Sequence, residues 1–410
     1  MRKITSLIAL ILCTQLFVGC TSSNDEPMQD IASMSWEEIV DFADGSTVYF
    51  YGFGGDQNVN EWIDTTLAEE VKEKYNIKLE RVPMIPSEYL GKLLSEKQLD
   101  SAGTMDIVWI NGENFGNAKE QELLYGPMTN ILPNYNTYLD ATSPDILYDY
   151  GQEIEGLEAP FGKAQLVFIG DSAKLEAFPK NHEELLELAK KYPGQITYPE
   201  VTDFTGGAFV RNIIYDIVGY ETFLDIEPTK EAVKTAVQPA MDYLKELKPY
   251  LWREGETYPA TLAQLDNMYA DGEVLLTMNY APFNVEANIQ DGIFSQTSKS
   301  FVFENGTMGD THFLAVPFNA PNKAAALVVI NEILSPEMQV TKYDPKVWGD
   351  LPVTDPELLS EEQKQLFDAV DIGDSVIPQD ELLNKRLPEM SAKLVPIIQE
   401  IWREEILSNE

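Results

Sequence analysis

Apolar positions are crowded at the start of the chain and spaced out after it. Arg2 and Lys3 precede an apolar run from Ile4 to Val18 that ends at Gly19-Cys20. A short basic segment, an apolar segment and small residues form the secretory pattern. Ile4–Gly19 is sixteen residues, short of the ~20 that span a bilayer. Residues 21–34 are polar without a period and read as a tether. Ser35 stands three before Glu38, which predicts a capping box and a short helix with Trp36, Ile39 and Phe42 on one side.

From Thr47 the pattern alternates between buried runs and helical spacing. TVYFY (47–51), IKLERV (77–82) and MDIVWI (105–110) predict strands. Between them Ile63, Leu67, Val71 and Tyr75, then Tyr89, Leu90, Leu93 and Leu94, predict two amphipathic helices. Strands and helices alternating at this spacing predict a parallel α/β sheet. Further on, AQLVFIGD (164–171), the start of QITYPEVTDFTGGAF (195–209), VLLTM (274–278) and HFLAVPF (312–318) predict strands. Helices are expected through Leu185–Ala189, Phe209–Ile217, 229–249, 259–271 and 324–334, and from Ser360 to the end. The pattern predicts two α/β lobes, and no internal repeat occurs.

Composition narrows the class. Hydrophobic residues at 44% exclude a disordered polymer. The formal charge of −39 disfavours binding to nucleic acid, because an acidic surface repels phosphate. Both cysteines, Cys13 and Cys20, precede the body, which excludes a disulfide framework, a Cys nucleophile and Cys-ligated zinc there. Only His182 and His312 occur, so a transition-metal site is poorly supplied. No metal and no cofactor are expected.

Ligands of α/β sheets bind outside the carboxyl ends of strands, where loops meet helix starts. That rule nominates four loops. Tyr51, Gly54, Asp56 and Asn58 come from the first. Trp109, Asn111, Glu113 and Asn114 come from the second. Asp203, Phe204, Thr205 and Gly206 come from the third, and Asn279 and Tyr280 from the fourth. Each also has a structural reading. Gly54-Gly55 suits a turn as well as a ligand. Trp109 suits a core, and Thr205-Gly206-Gly207 suits a helix N-cap that could also face an anion. Asp56, Glu113 and Asp203 suit solvated or turn-accepting carboxylates. Together they point to a cationic solute. His312 reads as structural.

"LFVGC" resembles the bacterial lipoprotein signal, in which the cysteine, here Cys20, carries the lipid. YFYGFGGDQNVNEWID, DIVWINGENFGNAKEQELLYGPM, ITYPEVTDFTGGAFVR, LWREGETYPATLAQLDNMYADGEVLLTMNYAP and GTMGDTHFLAVPFNA resemble the YnjB-like branch of ABC-transporter substrate-binding proteins. The resemblance runs in order from about Thr47 to Asp355. It implies a two-lobed type II periplasmic-binding-protein fold with one cleft. Residues 1–19 would be the leader and 20–44 the tether and short helix. Residues 45–160 with 310–350 would form lobe one, 165–305 lobe two, and 355–410 C-terminal helices. The crossings would lie near Gln165–Phe168 and His312–Val316.

The implied activity is solute capture outside the cytoplasm and delivery to an ABC permease, by a monomer anchored to the membrane through lipid at Cys20. Aromatic and acidic loops suit a thiamine-like or polyamine solute. Ferric iron is disfavoured by the lack of an adjacent Tyr-Tyr pair in the expected part of lobe two. Two other classes stay open at this point: a hydrolase using paired carboxylates, and a lipoprotein scaffold without a ligand. No GxSxG, HExxH or P-loop is present to favour an enzyme.

Overall fold

The computed structural model describes residues 31–52 and 54–407; the apolar leader and Cys20 lie outside the described residues. Ser35 and Glu38 form the expected capping box at the start of helix Trp36–Ala43. Ile39 and Ala43 face inward, but Phe42 is exposed, against the sequence expectation. The helix leans on helix Lys323–Ile333 along its i, i+4 edge, which turns Phe42 outward.

The first sheet is built from β1 (Thr47–Gly52), β2 (Lys78–Pro83) and β3 (Ile107–Ile110), with β1 parallel to both neighbours. Side chains alternate across β1. Val48 and Phe50 enter one apolar core, beside Trp62, Leu67 and the helix Lys323–Ile333. Tyr51 enters the core on the other face, with Tyr89, Leu93 and Phe115.

The second sheet has three strands. β5 (Val167–Asp171) lies between β6 (Leu276–Asn279) and β7 (Ser298–Phe301), antiparallel to both. It serves a separate core that includes Phe168, Phe209, Ile213, Val237 and Leu276.

Two strands belong to both lobes. β4 (Glu158–Gln165) and β8 (Thr307–Ala315) pair antiparallel over nearly their whole length. Ala159, Phe161 and Leu314 sit in the first core. Ala164 and Met308, on the same two strands, sit in the second. The AQLVFIGD run is therefore not one strand. It divides at Leu166, where Gln165 N–H donates to Tyr280 and Leu166 N–H to Met308.

Two expectations fail here. The segment from Gln195 forms no strand, because its backbone bonds go to three separate places: Leu275, Trp252 and Pro259. The tail is not helical throughout. Helices Glu361–Asp368 and Gln379–Asn384 are followed by β9 (Arg386–Pro388), which adds to β8 in parallel, before helix Val395–Trp402. Leu382, Met390, Leu394, Ile398, Ile401 and Trp402 bury themselves in the second core. Among the described residues no helix is long and apolar enough to cross a membrane.

Candidate functional site

The register of β8 creates a slot. β4 occupies one flank of β8 both at Gly309 and at Phe313–Ala315. β9 and β3 must therefore share the other flank. β9 is parallel to β8 and stops with Pro388 opposite Gly309. β3 is antiparallel and stops with Ile110 opposite Phe313. Two strand C-termini thus converge, separated by three residues of β8, or about 13 Å at the strand rise. Asp310, Thr311 and His312 form the floor between them. A gap at strand carboxyl ends is where α/β sheets take ligands.

The nominated residues distribute unevenly around this slot. Trp109 and Asn111 are at its β3 end. The Trp109 indole donates to Asn111 Oδ1 at 3.0 Å, and Asn111 Nδ2 donates to the Thr311 carbonyl at 2.5 Å. Trp109 packs edge-on to Phe161 and His312. Tyr280 is held on the floor's other strand by Gln165 N–H. Since Gln165 pairs with Gly309, two positions before Thr311, the attachments of Tyr280 and Asn111 are offset by about 7 Å along the strand. Phe204, 53% exposed, lies 4.9 Å from the Tyr280 ring.

The others stand apart or are occupied. Tyr51 points into the apolar core. Asp56 accepts from Val59 N–H and caps the next helix, with Asn58 exposed on it. Gly54 lies against Pro83. Asn279 Oδ1 accepts from Ala281 N–H. Glu113, exposed, and Asn114, half-buried, open helix Glu113–Glu120. Glu113 also borders a groove of ≈ 500 Å³ whose other wall is Ala392, Lys393 and Pro396 of the tail.

Asp203, rather than Thr205, caps helix Phe204–Val218: its Oδ1 accepts from Thr205 and Gly206 N–H, and its Oδ2 from Leu262 N–H. A Cβ on Gly206 would collide with the carbonyl oxygens of Pro199 and Glu200. Gly206→Ala should therefore destabilise the protein by about 1–3 kcal/mol through backbone displacement. Chemical denaturation measures it, and an unchanged midpoint would contradict this packing.

The groups that dominate the slot were not nominated. The Tyr150 ring covers Gly112, where a Cβ would sit 3.3 Å away. Asp149, 1% exposed, accepts from Gly112 N–H at 2.6 Å through Oδ2, while its Oδ1 has no partner. Across the gap, Glu389 leaves β9 and accepts from the Tyr280 hydroxyl at 2.5 Å; Arg211 Nη2 lies 3.5 Å from its other oxygen. The Arg211 and Glu389 side chains are 5% and 4% exposed, and Arg211 Nε is unpartnered.

Burial pushes Asp149 well above the carboxylate range, and Asp310 adds to the effect. Burial raises Asp310 to about 7, with His312 and Arg386 opposing and Glu389 reinforcing. Burial and then Glu389 push the Tyr280 hydroxyl up. Arg211 stays above its ordinary value: burial opposes its charge, but Glu389 and Tyr280 outweigh that.

A raised carboxyl binds protons more tightly folded than unfolded, so Asp310 costs stability as pH climbs from about 4 to about 7. Asp310→Asn should flatten the fall in unfolding free energy over that window. An unchanged pH profile would show that Asp310 titrates normally.

Sequence offered one signal for these groups. An arginine inside the apolar run FVRNII is out of place on a buried helix. Nothing local marks Asp310 or Glu389. Among the described residues no group of three or more His, Cys, Asp or Glu side chains is placed to hold a metal ion.

Comparison with known proteins adds the following. A family described as bacterial extracellular solute-binding protein matches residues 66–366. The chain is 35% identical over 370 residues to Protein YnjB of Escherichia coli (strain K12), covering 90% of this chain and 92% of that one. It is similar in fold to an ABC transporter structure from Clostridium perfringens, with TM-score 0.60, 17% identity, and 88% and 98% of the two chains covered. It is likewise similar to the spermidine/putrescine ABC transporter substrate-binding protein PotD of Streptococcus pneumoniae, with TM-score 0.60, 14% identity, and 87% and 98% covered. At these identities the two structures speak to the fold alone.

Proposed function

This chain belongs to the bacterial extracellular solute-binding protein family, and from that premise we propose that it is the lipid-anchored receptor of an ABC importer, closing two lobes on a small solute and passing it to a membrane permease. The observation that carries this reading is the slot over Asp310–His312, where strand ends from two directions converge and buried polar atoms lack protein partners. A solute that touches both walls binds the closed arrangement better than the open one. It shifts the population accordingly, and the permease reads the closed surface. Trp109 and Asn111 serve one wall, and Phe204 and Tyr280 the other. Asp56 and Asp203 fix their loops as helix caps. No bond is made or broken, so no catalytic residue is assigned. The receptor acts as a monomer.

The solute in this reading is a small organic cation, of thiamine-like or polyamine character. Aromatic faces and carboxylates attract such groups together. Isothermal titration with thiamine, its phosphates, spermidine and common anions tests the reading. Saturating cation at a hundred times Kd should add about 2.7 kcal/mol of apparent stability. Binding by anions alone rejects the cationic half. A metabolite extract that leaves the melting temperature unmoved favours a ligand-free scaffold instead. The anchor is tested separately: Cys20→Ser should move the protein from the membrane fraction to the soluble one, and continued membrane retention rejects lipid at Cys20.

A further inference from the structure

The family match ends at residue 366, yet the tail beyond it reaches the slot. β9 seats the tail on β8, and Arg386 fastens it to the first lobe, donating to Thr311 Oγ1 at 3.0 Å and lying 3.3 Å from Asp145. Three residues later Glu389 is fastened to the second lobe by Tyr280 and Arg211. Helix Val395–Trp402 then anchors in the second core. The tail is thus a third strand-borne link between the lobes. It closes the end of the slot opposite Asn111.

We infer that this tail completes the solute site, with Glu389 and Asp310 as the carboxylates that receive the solute's cationic centre between the rings of Tyr150 and Tyr280. The inference rests on the receptor reading above and deepens it. The basic side chains beside the gap already hold acid partners, which leaves Asp310 for a cation. Arg386 and Lys163 both turn to Asp145, and Arg211 is matched by Glu389. Asp310 has only the His312 ring, 3.8 Å away, in ion-pair reach. The groups around Asp310 are His312, Arg386, Glu389, Asp149, Tyr150, Tyr280 and Glu158. Beside the same gap Asp149 Oδ1, and Arg211 Nε, which calls for an acceptor on the solute, are buried polar atoms without a hydrogen-bond partner. A solute between the walls would supply partners for them.

The test is titration of full-length wild type, Asp310→Asn and Glu389→Gln with spermidine, thiamine and choline, and with citrate and a hexose phosphate. Both variants keep the shape of the side chain, and urea unfolding checks that each is folded. The expected result is saturable binding of a cation by the wild type, weakened at least tenfold in each variant. Wild-type affinity should also fall as pH drops below about 7, where Asp310 takes up a proton. Cation binding left intact by both variants, or binding of anions only, overturns the inference while the receptor reading stands. No binding by any compound counts against both.

Discussion

Trp402→Ala should lower the unfolding free energy by about 3–5 kcal/mol, the range for emptying a large buried aromatic site. Trp402 is 0% exposed. Its indole donates to the Tyr198 hydroxyl at 3.2 Å, and its ring meets Tyr258 at 5.2 Å. The surface ion pairs of the same segment cannot compensate. Lys230 with Glu400 and Glu404, and Lys234 and Lys245 with Glu405, lie at or near the surface, where each pair contributes roughly 0–1 kcal/mol. The effect should reach the slot, because Trp402 secures the helix that follows β9 and Glu389. Urea unfolding measures the loss of stability. Titration with the solute should show weaker binding even where the variant is fully folded. A variant as stable as wild type would mean that the tail is not part of the second core.

Lys342→Met should cost a similar ~3–5 kcal/mol, by a different route: removing one partner of a buried pair strands the other. The Lys342 side chain is 0% exposed and its ammonium lies 2.6 Å from Asp350, itself 4% exposed. The Trp348 and Phe161 rings lie 4.9 Å and 5.5 Å from it. Burial drives the lysine below its ordinary value, against the pull of Asp350. With methionine in place, the Asp350 carboxylate keeps only the His312 ring, 3.4 Å away, as a neighbour in ion-pair reach. The double variant Lys342→Met with Asp350→Asn should recover most of the loss, since no buried charge is then left over. Denaturation of both variants decides it. Equal losses in the single and the double variant would place the cost in packing rather than charge. The pair backs onto Gly162 of β4, where any Cβ would collide with Asp350. The clasp therefore sits beside the crossing strands, and its loss should also alter how the lobes close.

The sequence by itself determined the local units. β1, β2 and β3, the capping box at Ser35, and helices such as Lys323–Ile333 follow from short-range periodicity and capping chemistry, which neighbours along the chain supply. Loops after strand ends are recognisable one at a time, which is how Trp109, Asn111 and Tyr280 came to be nominated. Partner choice over long separations was left to the tertiary structure. Only folding placed Glu389 against Tyr280 and Arg211, which are 109 and 178 residues away in the chain. Only folding turned the expected all-helical tail into one carrying β9, whose three residues are too few to show a period of two and become a strand because β8 offers an open flank. Asp203 is the intermediate case: its place in a helix-start loop was visible, but the bonds that occupy its carboxylate, one of them from Leu262, appear only when distant turns meet. Periodicity records which face of an element is apolar, whereas a binding slot is made by which elements end opposite one another.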